Sequence, residues 1–280
     1  MRTVDAHQHF WTIADRGEGA WPPPALRAIH RDFAAADLAP LLAAAGVDAT
    51  VLVQTLPTLA ETHWMLDVAR ATPFVGGVVG WVDFKAPDAP ATIEALARDT
   101  LLKGLRPMLQ DLPDDAWIAD PATAPAAEAM ARLGLVFDAL VLPRQLAALH
   151  RFAARHPALA IVIDHAAKPF IARGELEPWR ADMARLAALP NLHCKVSGLL
   201  TEAGDRTTRE ALQPYVQALW TLFGPRRLLW GSDWPVLRLA ADYASWHALA
   251  HRLVDACEPR AGAAERDAIF GANAAALYRL

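Results

Sequence analysis

Two histidines stand two residues apart in His7-Gln8-His9, at the end of a short run of strand-like composition. On a strand that spacing puts both imidazoles on one face. Asp5 shares the same parity, and Val4 and Ala6 fall on the other face. A pair of neutral rings can hold one divalent cation of the zinc type, although an isolated His-x-His is as readily a structural pair. His165 ends the run Ile161-Val162-Ile163-Asp164, where its ring can reach a strand mouth or cap the next turn. Asp233 follows Leu228-Leu229-Trp230-Gly231-Ser232 and precedes Trp234-Pro235. A carboxylate there can ligate a metal, deprotonate a water, or do both. As an N-cap or Asx-turn residue it would only order the loop.

These residues need a scaffold that brings them together. Strand-like runs occupy residues 3–9, 49–54, 75–82, 102–108, 135–141, 160–164, 192–197 and 227–231. Several are apolar at consecutive positions, as strands covered on both faces are. Between them lie helical runs at 36–45, 58–71, 89–99, 125–133, 144–155, 178–188 and 209–223, followed by 240–256 and 264–280. Eight such units predict an α/β protein with a parallel sheet. The first strand leads into His-Gln-His-Phe-Trp instead of the glycine loop of an open dinucleotide-binding sheet. A (β/α)₈ barrel spanning residues 1–280 as a single domain is therefore expected, its active site at the carboxyl ends of the strands. His7 and His9, His165 and Asp233 fall at the ends of strands one, six and eight. Together they supply a metal set that leaves room for water or substrate. The long segment 10–34 after the first strand has the length of a functional lid.

Composition narrows the function. A net charge of −4 and the absence of any long basic run argue against a nucleic-acid partner. No apolar run reaches the length of a membrane span, and MRTVDAHQHF lacks the pattern of a secretory leader, so a cytoplasmic location is expected. The two cysteines, Cys194 and Cys257, cannot make a disulfide framework. No Gly-x-Ser-x-Gly elbow occurs, which disfavours a serine hydrolase of that type. His247 and His251 have helical metal-ligand spacing but lack the glutamate of a zincin motif, and a packing role is expected for them.

Other residues qualify as substrate contacts. Arg106 and Lys103 flank the end of strand four, where a guanidinium can hold a carbonyl or carboxylate by paired hydrogen bonds. Lys168 lies three residues after His165. Trp11, Trp81 and Trp234 sit at or just beyond strand ends, where an indole can pack on a sugar ring and donate its N–H. Plugging the top of the core is the equal alternative for them. Asp83, Asp138 and Lys195 are further polar candidates without an assigned role.

The motifs His7-Gln8-His9-Phe10-Trp11, Lys103-Gly104-Leu105-Arg106, Asp164-His165-Ala166-Ala167-Lys168-Pro169, Lys195-Val196-Ser197-Gly198-Leu199 and Trp230-Gly231-Ser232-Asp233-Trp234-Pro235 resemble the amidohydrolase superfamily, in its sugar-lactonase branch. The resemblance spans nearly the whole chain. It implies a barrel that hydrolyses a sugar aldonolactone of the L-fucono or L-rhamnono type in sugar catabolism, with that small molecule as its expected partner. It also implies His7, His9, His165 and Asp233 in the site. From the chemistry of these residues, Asp233 is the expected catalytic base and His165, Arg106 or a lysine the expected partner of the developing oxyanion. Members of this branch work with a divalent ion or without one. Strand seven ends in Lys195 and Ser197, with no histidine there for a second metal. One zinc ion or none is the expectation. The alternatives are lactonase action on a dicarboxylate lactone, metal-dependent decarboxylation of a small unsaturated or aromatic acid, and sugar binding without turnover.

Overall fold

The computed structural model describes residues 2–17 and 20–280. Its elements alternate along the chain: β1 (Val4–Gln8), α1 (Ala35–Ala45), β2 (Ala49–Val53), α2 (Leu59–Ala71), β3 (Val75–Gly80), α3 (Ala89–Leu96), β4 (Leu102–Leu105) and α4 (Ala124–Leu133). There follow β5 (Val136–Ala139), α5 (Leu146–Arg155), β6 (Ile161–Ile163), α6 (Trp179–Ala187), β7 (Leu192–Val196), α7 (Arg209–Phe223), β8 (Leu228–Trp230) and α8 (Tyr243–Asp255). α9 (Ala263–Asp267) and α10 (Asn273–Tyr278) are separated by a π turn at Ala268–Ala272. The run 264–280, expected as one helix, is thus broken.

The eight strands pair in parallel in chain order. β1 and β8 close the barrel through a parallel bridge between Gln8 and Trp234, beside which the Asp233 N–H donates to the His7 carbonyl at 2.8 Å. Each of the eight expected strand windows contains a strand. The strands stop short of several windows because the last residues of each window leave the ladder to form the site.

Helix ends follow local chemistry. Thr58 caps α2 through Glu61 N, Thr208 caps α7 through Ala211 N, and Asp242 caps α8 through Ser245 N. Each side-chain oxygen satisfies an amide that the first helical turn leaves without a partner. The Asp242 cap sets the start of α8 at Tyr243, three residues inside the expected window. Among the described residues, no helix is long and apolar enough to cross a membrane.

One expectation about facing fails, for a local reason. Four residues of β1, from Asp5 to Gln8, run opposite three of β2, from Thr50 to Leu52. An extra residue of this kind is a β-bulge, and it re-aims every side chain after it. Val4 and Ala6 point into the barrel, in a cluster with Val51, Val79, Val162 and Leu229 closed by Ala274 and Tyr278 of α10. Beyond the bulge, His7 and His9 also point inward. Asp5 does not share their face. Its carboxylate accepts hydrogen bonds from Tyr243 Oη of α8 at 3.0 Å and from Ser232 N at 2.8 Å.

Segment 10–34 crosses the mouth of the barrel, its positions 18 and 19 lying outside the described residues. It is pinned by an antiparallel bridge between Trp11 and Phe33 and by the indole of Trp11 donating to Arg31 O at 2.8 Å. Arg16 latches it to α2 through Glu61 at 3.2 Å, both side chains being buried.

Candidate active site

Three imidazoles converge on one carboxylate oxygen. The Nε2 atoms of His9, His7 and His165 lie 3.3, 3.8 and 3.8 Å from Asp233 Oδ1. Each ring is oriented from behind. His9 Nδ1 lies 2.7 Å from Val53 O, His165 Nδ1 lies 2.9 Å from Ser197 Oγ, and His7 Nδ1 lies 3.4 Å from Asp164 Oδ1. A carbonyl only accepts, so the proton of a neutral His9 resides on Nδ1 and its Nε2 carries a lone pair. That nitrogen faces a carboxylate oxygen at 3.3 Å, a pair of ligand atoms that one divalent cation can bridge.

The donor set fits a divalent ion. His7, His9 and Asp233 present ligand atoms that all lie within 4.8 Å of one another. Nitrogen and carboxylate ligands suit zinc, and partners on the outer ring nitrogens are the usual orienting contacts of ligating histidines. A second grouping, His7, Asp164 and His165, is equally compact. Its carboxylate, however, already meets Lys195 Nζ at 3.0 Å and Arg106 Nη1 at 3.2 Å, and two cations there oppose a third.

The electrostatics agree. Burial pushes the Asp233 carboxyl up, but His165, His9 and His7 outweigh it and hold the group well below the usual carboxylate range. Burial lowers His165 to about 4. Burial and then the Lys195 ammonium hold His7 well below its ordinary value. At neutral pH both rings are therefore neutral, the form that ligates metals.

Backbone strain concentrates here. His165, Ala166, Ala167, Lys168 and Asp233 all have left-handed φ between 51° and 58°. Each non-glycine residue there costs about 1–2 kcal/mol, and such outliers gather at functional sites. The turn after β6 is held by Trp179 Nε1 donating to Ala166 O at 2.7 Å. Two glycines make room for the rings. A Cβ on Gly231 would meet His7 Cβ at 2.8 Å, and one on Gly198 would meet His165 at 2.7 Å.

Behind the imidazoles lies a buried ionic chain. Lys195 Nζ contacts Asp138 Oδ2 at 2.5 Å and His7 Nδ1 at 3.1 Å. Tyr278 Oη, from the C-terminal helix, donates to Asp138 at 2.9 Å. Burial raises Asp138 to about 6 against the pull of Lys195. Asp164 lies well below its usual range because Lys195 and His7 overcome its burial.

A cavity of about 400 Å³ opens above this centre, lined by His9, Arg106, His165, Lys168 and Asp233 among others. Lys168 reaches Glu202 across its wall at 3.5 Å. The remaining candidates lie elsewhere. Lys103 donates to Arg279 O at 2.9 Å, at the amino-terminal end of the barrel, because it begins β4 instead of ending it. Trp11 lines a separate hollow with Arg16 and Glu61. Trp234 is buried, edge-on to Phe10 and Phe33. Trp81 and Asp83 border a second cavity. Asp138 and Lys195 lie inside the barrel, below the imidazoles. His247 and His251 lie together on α8, with His251 stacked on Phe270 at 3.7 Å.

Sequence reasoning passed over Trp21, Thr55 and Gln110, which line the cavity, and the supporting Asp164, Ser197 and Tyr278. Position beside His165 at a strand end was an available signal for Asp164. Nothing local points to Tyr278, which meets Asp138 from 140 residues away.

Known proteins place this arrangement in context. The chain is 55% identical over 280 residues to the L-fucono-1,5-lactonase of Burkholderia ambifaria, covering 99% of this chain and 95% of that one. The L-fucono-1,5-lactonase of Burkholderia multivorans is 38% identical, with 99% and 96% covered. The solved structure of an amidohydrolase from Burkholderia multivorans with bound Zn superimposes with a TM-score of 0.90 at 38% identity, covering 100% of each chain. The amidohydrolase family model matches residues 4–280, and the chain belongs to that family.

Proposed function

We propose that this enzyme hydrolyses a sugar aldonolactone of the L-fucono-1,5-lactone type to its aldonic acid, with one zinc ion held by His7, His9, His165 and Asp233. The observation that carries the reading is the convergence of the His9, His7 and His165 Nε2 atoms on Asp233 Oδ1, at 3.3, 3.8 and 3.8 Å. The names of the two Burkholderia relatives support the substrate, and the zinc-bound relative supports the ion. When bound, a divalent ion supplies Lewis acidity to a carbonyl and lowers the pKa of water.

The residues take complementary roles. The Asp233 carboxylate accepts a proton from the attacking water and delivers it to the departing ring oxygen. Arg106 is the donor for the developing oxyanion. Its Nη1 is held by Asp164 at 3.2 Å, and its buried Nε–H has no partner among the described residues. A fixed donor needs no reorganisation as charge develops. Lys168 and Trp21 border the same cavity and are suited to substrate hydroxyls and a ring face.

A pH-indicator assay over a panel of aldonolactones tests this reading, before and after chelation. Acid release with L-fucono-1,5-lactone is expected, along with loss of turnover on chelation and recovery with zinc. Asp233→Asn should lower kcat by about 10²–10⁴-fold without changing the fold. Full activity after exhaustive chelation would remove the ion from the scheme. Carbon dioxide release without ester hydrolysis would overturn the lactonase reading.

A further inference from the structure

The cavity above the imidazoles is not closed on all sides. Trp21, Thr55, Met108 and Asp111 line it and also line a neighbouring chamber of about 580 Å³. The two spaces share a wall of side chains and differ in chemistry. The first carries His9, Arg106, Gln110, His165, Lys168 and Glu202 beside the apolar Leu140, Val236 and Leu239. The second is mostly apolar, bounded by Leu56, Trp81, Val82, Phe84, Leu112 and Trp117, with Asp83 and the shared Asp111 its charged residues. A small sugar lactone is satisfied by the first alone, because a hydroxyl on nearly every carbon matches polar walls. It has little apolar surface with which to fill the second.

The chamber walls are held in place. The Lys85 ammonium sits 4.9 Å above the Trp117 ring and is itself bound to Asp120 at 2.6 Å. Trp81 is fixed at its backbone, where its N–H donates to Thr62 Oγ1 at 2.9 Å. Phe84 packs edge-on against Phe137 with ring centres 5.6 Å apart. A preformed apolar space takes up a chain without the cost of ordering its own walls.

We infer that this enzyme also hydrolyses δ-lactones whose ring carries an apolar alkyl chain, the ring seated at the imidazole centre and the chain lying in the chamber. The inference rests on the lactonase reading. The chemistry is unchanged: water adds to the carbonyl carbon, the ring C–O ester bond breaks, and the ring oxygen leaves as a hydroxyl carrying the proton.

The test compares purified enzyme on δ-lactones bearing no chain and alkyl chains of one, four and seven carbons, with L-fucono-1,5-lactone alongside. Burying one methylene contributes ~0.8 kcal/mol, so kcat/KM should rise about fourfold per carbon until the chamber is full. Leu112→Asp and Trp117→Ala should erase that rise while leaving turnover of L-fucono-1,5-lactone unchanged. A flat response to chain length, with the sugar lactone still turned over, would overturn this inference alone. The same follows if the variants lose both substrates equally. Silence on every lactone would overturn the lactonase reading and this inference with it.

Discussion

Replacing Gly198 with alanine strains the proposed seat of His165 directly. Gly198 has φ +63°, and a Cβ built there lies 2.7 Å from His165 Cβ, Cγ and Nδ1. The left-handed backbone alone costs an alanine about 1–2 kcal/mol. Overpacking a filled site costs about 1–3 kcal/mol more, and a stiffer unfolded chain returns about 0.4–1 kcal/mol. The net expectation is a destabilisation of about 1–5 kcal/mol. Relief of the clash requires the His165 ring to move off Ser197 Oγ and off its approach to Asp233. A displacement near 1 Å in a reacting constellation costs on the order of 10²-fold in rate. Gly46→Ala is the control. Gly46 has φ +67° with nothing within 4 Å of the added Cβ, so it shares the backbone cost without the clash. Urea denaturation, kcat on L-fucono-1,5-lactone and zinc content would be measured for both variants. If Gly198→Ala matched Gly46→Ala in stability, turnover and zinc content, the argument that Gly198 exists to seat His165 would be wrong.

Three further outcomes are expected. Ser197→Ala removes the partner of His165 Nδ1 and should weaken zinc affinity about 10–100-fold, measured by competition with a chromophoric chelator; unchanged affinity would mean that packing alone orients the ring. Tyr278→Phe deletes a donor to the buried Asp138 carboxylate and should cost about 1.5–3 kcal/mol in denaturant unfolding, whereas wild-type stability would show that Lys195 suffices to hold Asp138. Burial raises Asp5 from 3.8 to about 6, so the folded state holds that proton more tightly than the unfolded chain. Its contribution is fully present below about pH 4 and is lost as pH rises through about 6, a fall of about 3 kcal/mol. Asp5→Asn should flatten that part of the stability profile, and an unchanged slope across pH 4–6 would contradict the assignment.

The alternation of short apolar strands with alanine- and leucine-rich helices was legible because both periodicities are local. The same locality exposed His7, His9, His165 and Asp233, since each lies where an apolar run gives way to polar residues and parallel strands all end at one rim. What the sequence determined, then, was a (β/α)₈ order with three histidines and an aspartate at strand ends. Only the tertiary structure decided which way individual side chains face. One extra residue in β1 turns His7 inward although Asp5, before it, faces α8, because a strand alternates with period two and a single insertion reverses everything beyond it. Lys103 and Arg106 share one motif, yet the barrel sends the first to its floor and the second to its mouth. The meeting of Tyr278 with Asp138, and the division of the mouth into polar and apolar chambers, likewise come from contacts between residues far apart in the chain. Local periodicity carries no record of such contacts, which exist only once the barrel has closed.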